Sequence, residues 1–370
     1  MKINIIGGGL AGLVSAYLLA QEGHEIRLIE KKKYPFHRVC GEYVSNETTQ
    51  FLKRNGLYPD HLEPSQINRF ELTAQSGKNF EMPLDLGAFG ISRYEWDAFL
   101  VKKVKEMGVT VNEQTAVIDV RFIDESFELT LSNGEKINSP LVIGAFGKKS
   151  LMDQKLQRQF AKSQSPFVGV KYHIKTDFPK DKIVLHNFTG GYCGLSAVEN
   201  DKYNFCYLGR RVDLKRHGGI KEMEEAVLYE NPHLKSVFEN SDFLFDKPIV
   251  INAFSFAPKQ LIENHVLMAG DAAGLITPLC GNGMAMAIHS AKLLSECIAA
   301  HANKASFNRG AMERDYEKKW RSIFEKRLWV GRQTQKLFGT SIGANTGMWL
   351  MQNVPPFARN VMKNTHGAPF

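Results

Sequence analysis

The sequence predicts an α/β protein in which a parallel-sheet dinucleotide fold is interrupted by a mainly antiparallel sheet domain and followed by a helical C-terminal region. Three observations carry this expectation. The first 22 residues read as strand, glycine-rich turn and helix; long strands with aromatic residues run from about 166 to 249; strand, Gly/Pro loop and apolar helix return between 265 and 300. With 370 residues, 43% of them hydrophobic and 23% charged, the chain can bury a large core, and disorder is excluded as its main state.

The opening unit is the most specific. Lys2 to Ile6 is a β-branched run, residues 13 to 22 are apolar with helical spacing, and residues 25 to 29 form a second strand. Between them Gly7-Gly8-Gly9-Leu10-Ala11-Gly12 places glycine where a dinucleotide turn needs it. Gly7 serves the tight bend, Gly9 lets a pyrophosphate approach, and Gly12 allows helix-on-strand packing. The helix then points its free N–H groups, Leu10 and Ala11 among them, and its positive end at phosphate. Glu30 ends the second strand 18 residues after Gly12, where a carboxylate accepts from ribose hydroxyls, with Lys31 beside it. This motif alone leaves NAD and FAD open.

Alternating runs at 67–73, 109–112, 116–123, 127–131 and 137–143 predict sheet, with Asn133-Gly134 as a hairpin turn and a helix over 94–107. Strands follow at Phe167–Ile174, Ile183–Phe188 and Tyr203–Leu208, and a charged helix near 219–229. The domain boundaries expected are 1–165 with 250–310 for the dinucleotide fold and 166–249 for the sheet domain, to which residues 66–90 also contribute. Residues 311–370 form the C-terminal region, charged and helical to about 340; the last thirty, with Pro355-Pro356, read as irregular.

Composition narrows the function. Five cysteines without a C-x-x-C pair suit a reducing compartment, and no metal motif, P-loop or nucleophile elbow is present. The chain starts directly on a strand without a charged leader or an apolar spanning stretch, so a cytoplasmic protein is expected. Nothing calls for a nucleic-acid partner. Residues 301–370 hold twelve Lys or Arg against four Asp or Glu, the whole of the net charge of +8. With Trp349, Leu350 and Met351 read as exposed, this tail suits peripheral contact with an anionic membrane; a solvated helical face is the blander reading.

A second fingerprint decides the cofactor. The stretch His265-Val-Leu-Met-Ala-Gly270-Asp271-Ala-Ala-Gly-Leu-Ile-Thr-Pro278-Leu-Cys-Gly281-Asn282-Gly283-Met284 resembles the second flavin motif of the para-hydroxybenzoate-hydroxylase-like family. The resemblance implies a glutathione-reductase-like Rossmann FAD-binding domain. Gly270 and Asp271 would then meet ribityl and pyrophosphate, Pro278 the reactive face of the ring, and Gly281 to Met284 its pyrimidine edge. There a helix N-terminus favours the negative charge of reduced flavin. Arg93-x-x-x-Asp97-x-x-Leu100 resembles the family's helix start, with Arg93 at the pyrophosphate, although an i, i+4 ion pair is the commoner meaning of that spacing. Val117 completes the contacts implied. Where the family has Asp-Gly, this chain has Phe146-Gly147, which alters the usual handling of a nicotinamide donor.

Arg38-Val-Cys40-Gly41 resembles the Lys/Arg-x-Cys-Gly segment of geranylgeranyl reductases and flavin-dependent halogenases, placing Arg38 and Cys40 by the cofactor. Trp96, Trp320, Trp329 and Trp349 form no Trp-x-Trp pair, which disfavours halogenation, and Gly191-Tyr192 keeps only part of the reductase strand motif. The resemblance implies a single-component monooxygenase. FAD, with NADPH or NADH as a transient donor, would hydroxylate a lipophilic aromatic or polyketide-derived molecule through a flavin hydroperoxide. A double-bond reductase of the geranylgeranyl type, and a flavin-binding protein served by an external donor, are the alternatives. Phe167, Tyr172, His173, His186, Phe188, Tyr192, Phe205 and Tyr207 are expected to roof the flavin, with His173, His186 and Pro278 as catalytic candidates.

Overall fold

A computed structural model describes residues 1–162, 165–252, 254–302, 307–338 and 341–370. Its six-stranded sheet runs Ile262–Glu263, Val266–Met268, Leu141–Gly144, Lys2–Ile6, Glu25–Ile29 and Thr110–Asn112, parallel except at the Ile262–Glu263 edge. The inner strands are buried on both faces, which explains their continuous Ile, Leu and Val runs. The helix Leu10–Gln21 packs on this sheet beside Gly283–Ala302, and Arg93–Glu106 lies next to it. A three-stranded meander, Val117–Ile123, Ser126–Leu131 and Lys136–Ser139, follows.

The second sheet has nine strands. Phe167–Lys175, Tyr203–Arg210, Gly191–Ala197 and Lys182–Phe188 pair antiparallel in that order. Lys182–Phe188 then runs parallel to Ser65–Thr73, which pairs with Asn79–Gly90. So residues 65–90, distant in sequence, extend the sheet, and Tyr43–Ser45, Asp242–Phe243 and Ile249–Ile251 complete its nine strands. One face packs on the segments 211–240 through Val170, Tyr172, Val184, Phe205 and Tyr207. The other carries Leu72, Leu185, Tyr192 and Leu208 toward Leu279 and the C-terminal helices.

Two expectations change here. The last thirty residues are not irregular: Ser341–Asn353 and Pro355–Thr365 are helices, the second opened by proline at its first turn, where the missing N–H is unneeded. Met351 is 7% exposed and joins the core, while Trp349 is 58% exposed, because one helix turn presents them to opposite sides. Among the described residues no helix is long and apolar enough to cross a membrane.

Candidate functional site

The glycine turn does three separate jobs. Gly7 sits at φ +104°, and a Cβ there would lie 2.5 Å from the Ala145 carbonyl oxygen; at Gly12 it would lie 1.9 Å from the Gly7 carbonyl oxygen. Both are packed by backbone and admit no side chain. Gly9 differs: a Cβ there would meet nothing nearer than Arg93 Nη2 at 3.8 Å. The helix it opens has neither a side-chain cap nor an acid in its first turn. That leaves a helix N-terminus free for an anion.

Around it, Glu30 is buried and accepts from Gly8 N at 2.9 Å, Lys32 N at 3.0 Å and Arg38 Nη2 at 3.3 Å. A carboxylate has about four acceptor positions, so one stays open for a hydroxyl. Arg93 makes the i, i+4 pair with Asp97 at 2.7 and 2.8 Å, and Asp97 also takes Arg38 Nε at 2.9 Å. One buried carboxylate thus positions two guanidinium groups beside the turn.

The second loop comes to the same place. Gly270, at φ +60°, follows the strand Val266–Met268, and a Cβ on it would lie 2.8 Å from Ala11 Cβ. Residues far apart in sequence therefore close one cradle, and only glycine permits the approach. The Asp271 backbone is tied by its carbonyl to Lys259 Nζ at 2.7 Å. Burial draws the Lys259 ammonium down to about 8 despite Asp271 and Asp153 nearby. Arg158 Nη2 donates to Ala272 O at 2.9 Å and to Gln260 O at 2.7 Å, bracing the loop from below. Gly281 at φ +65° turns the chain into Gly283–Ala302, with Asn282 and Met284 buried at its start.

Beside this cradle lies a charged cluster that motif reading missed. Glu42 and Lys171 are wholly closed to solvent and paired, and His173 donates from Nε2 to Glu42 Oε2 at 2.6 Å. Arg93 N donates to Glu42 Oε1 at 2.7 Å, joining the cluster to the Arg93–Asp97 pair. Burial raises the Glu42 carboxyl, but Lys171 and His173 outweigh it and hold the group at about 2. The available signal was a lysine inside an apolar strand, two residues before His173. Lys148 Nζ reaches Val39 O at 3.1 Å, bringing the Phe146-Gly147 turn against the Cys40 segment.

Residues 1–314 match the family model described as "FAD binding domain". The chain belongs to that family. It is 24% identical over 358 residues to digeranylgeranylglycerophospholipid reductase 2 of Methanopyrus kandleri, spanning 90% of this chain and 85% of the relative. It is 27% identical over 357 residues to the flavin-dependent halogenase armH4 of Armillaria mellea, spanning 82% and 66%. A geranylgeranyl bacteriochlorophyll reductase-like structure from Thermoplasma acidophilum superposes with TM-score 0.79 at 16% identity, covering 98% and 96% of the two chains. The FAD-binding protein is thus an FAD-dependent oxidoreductase, and the family match and its cradle agree. Gly9 leaves room at an uncapped helix end, Glu30 keeps an acceptor position, and Gly270 brings the second loop against Ala11.

A narrow apolar pocket in the FAD-binding protein lies between this loop, the second sheet and the C-terminal helices. Leu279, Cys280 and Gly281 line one side, Phe70, Leu72, Met82, Ile183 and Leu185 another, and Met351, Met362 and His366 the third. Its volume is about 60 Å³, under half of the roughly 150 Å³ of an apolar cavity that admits benzene, so a bound ring requires the lining side chains to move apart. Burial holds the His366 imidazole down at about 4, so it is neutral at pH 7. Its Nδ1 faces Met362 O at 3.2 Å and Thr365 Oγ1 at 3.3 Å. A carbonyl can only accept, so Nδ1 carries the proton and Nε2 is a bare acceptor. That Nε2 is buried without a hydrogen-bond partner among the described residues.

The expected aromatic roof divides by strand alternation. Tyr172, Phe188, Phe205 and Tyr207 face the segments 211–240, not the pocket, since Tyr172 pairs with Phe205 and Val170 with Tyr207 in register. Tyr192 and Phe167 remain on the near side. His186 faces away as well, its Nδ1 2.8 Å from Thr73 Oγ1 and its ring stacked 5.7 Å from His233, opposite to Leu185. His173 lies at the Glu42 cluster, Pro278 in the loop, Lys31 is exposed, and Val117 is buried in the meander.

Proposed function

We propose that the protein is a single-component monooxygenase that hydroxylates a lipophilic aromatic molecule bearing its own hydroxyl group. The observation that carries this is the largely apolar pocket beside the Leu279–Gly281 loop, whose lining includes the neutral His366 ring with its buried, unpaired Nε2. A phenolic O–H satisfies that nitrogen, whereas a purely hydrocarbon chain leaves it unpaired at a cost of about 1–3 kcal/mol. FAD, when bound, supplies the activation of dioxygen. One oxygen atom enters the ring and the other leaves as water; NADPH or NADH gives a hydride and becomes NAD(P)⁺, one proton is taken from solvent, and the displaced ring hydrogen leaves as a proton as the new hydroxyl gains one.

The chain's own residues bind and orient. Leu72, Ile183, Leu185 and Met351 exclude water from the pocket. His366 fixes the hydroxyl and hence which ring carbon faces the loop. Buried Glu42, paired with Lys171, accepts from His173 Nε2, so His173 is committed as a donor rather than a free base.

A second reading, reduction of an isoprenoid double bond, is favoured by Phe146 in place of an acid at the turn before Gly147 and by the archaeal reductase relatives. Aerobic turnover of an alkylphenol with NADPH, followed by mass spectrometry, separates them: a hydroxylated product supports the first reading, and anaerobic hydrogenation of a prenyl chain with no aerobic oxygenation supports the second.

A further inference from the structure

A second, larger cavity lies on the other side of the same loop. It is a groove of about 790 Å³ between the helix Arg211–His217 and the long helix Arg309–Phe338, with Pro166 and Phe167 along its wall. Among the described residues five cations line it, Arg210, Arg211, Lys215, Arg332 and Lys336, and no carboxylate does. Arg210 is neutralised by Asp213 at 2.7 and 3.0 Å. Lys215, Arg332 and Lys336 have no ion pair among the described residues. Two rings, Phe167 and Phe256, with centroids 5.6 Å apart, supply an apolar surface between the charges. Gln335 adds a side-chain Oε1 that is buried without a hydrogen-bond partner among the described residues. At the floor is Thr277, whose Oγ1 donates to Gly331 O at 3.0 Å and so pins the long helix against the loop that continues into Pro278.

We infer that this groove is a binding site for a phosphate ester carrying an aromatic or apolar body. Uncompensated cations converging from two elements repel one another until an anion sits between them, and two guanidinium or ammonium groups on facing helices match a diphosphate. The rings accept the organic part, and Gln335 takes a hydroxyl or amide beside it. Its volume falls in the range of about 300–1,000 Å³ typical of small-ligand sites. Two molecules share this chemistry: a nicotinamide dinucleotide, which would bring an electron donor to the Thr277–Gly281 loop, and a long-chain alkyl or prenyl phosphate.

Calorimetric titration of the FAD-loaded protein tests the inference without turnover, so it stands or falls apart from the hydroxylation reading. The ligands are inorganic pyrophosphate, NADPH, NADH and dodecyl phosphate, against wild type and the variant K215E/R332E/K336E, with FAD absorbance and melting temperature as fold controls. Expected is saturable binding that weakens with salt and falls by about tenfold or more in the variant. Should that variant not fold, the single changes K215A and K336A at exposed positions are each expected to weaken binding by roughly threefold. NADPH binding that competes with pyrophosphate identifies the dinucleotide as the source; dodecyl phosphate competing while NADPH does not identifies the chain phosphate. Absence of binding by all four, or binding that neither salt nor these substitutions change, overturns the site.

Discussion

His173 Nε2 lies 2.6 Å from Glu42 Oε2, inside a cluster where Glu42 and Lys171 are fully closed to solvent. Removing the carboxylate leaves a lysine buried without its counter-charge. Glu42→Gln is therefore expected to destabilise the fold by about 3–5 kcal/mol, read from the denaturant midpoint. Adding Lys171→Met should return part of that loss, because the pair and its desolvation leave together. The folded Glu42 carboxyl sits at about 2, below its ordinary 4.5, so its contribution is fully present above 4.5 and is lost as pH falls toward 2.

Burial also depresses five imidazoles: His186 to about 3, His37, His289 and His366 to about 4, and His24 below its ordinary value. Each is neutral in the folded chain at a pH where the unfolded chain binds a proton. Stability is thus expected to decline as pH drops from 6.5 to 4, with a slope of up to about 1.4 kcal/mol per pH unit for each histidine. His289→Phe, which keeps a ring stacked on Phe370 at 3.9 Å, should flatten this slope by up to one proton in denaturation curves taken across that range.

Gly9 and Gly12 separate ligand space from packing. Gly12→Ala places a methyl 1.9 Å from the Gly7 carbonyl and is expected to lower the melting temperature whether or not FAD is added. Gly9→Ala adds a methyl that meets only Arg93 Nη2 at 3.8 Å and should lower the apoprotein's melting temperature far less than Gly12→Ala does. The same change weakens FAD binding by about tenfold or more, measured by flavin fluorescence titration.

His366→Phe keeps the pocket apolar but removes its acceptor. The expected result is a loss of preference for a phenol over its methyl ether, by roughly five- to 150-fold in kcat/KM, corresponding to about 1–3 kcal/mol. FAD content should not change.

The parallel sheet and both fingerprints were legible because their constraints are local: Gly7, Gly12 and Gly270 each sit where backbone contact or positive φ forbids a side chain, and Glu30 and Arg93 stand at fixed offsets. The second sheet's strands were legible too, but not their faces, since the expected roof counted aromatic residues without fixing the register that turns Tyr172 and Phe205 away. Glu42 and Lys171 escaped because their pairing spans 129 residues. His366 escaped because it follows a helix opened by Pro355-Pro356, which read as a break.

The most direct measurement is turnover of the FAD-loaded enzyme with NADPH and an alkylphenol under ¹⁸O₂. The account predicts a ring-hydroxylated product carrying one ¹⁸O atom, at a rate that falls in His366→Phe. A product without labelled oxygen, together with anaerobic saturation of a prenyl double bond, would contradict it.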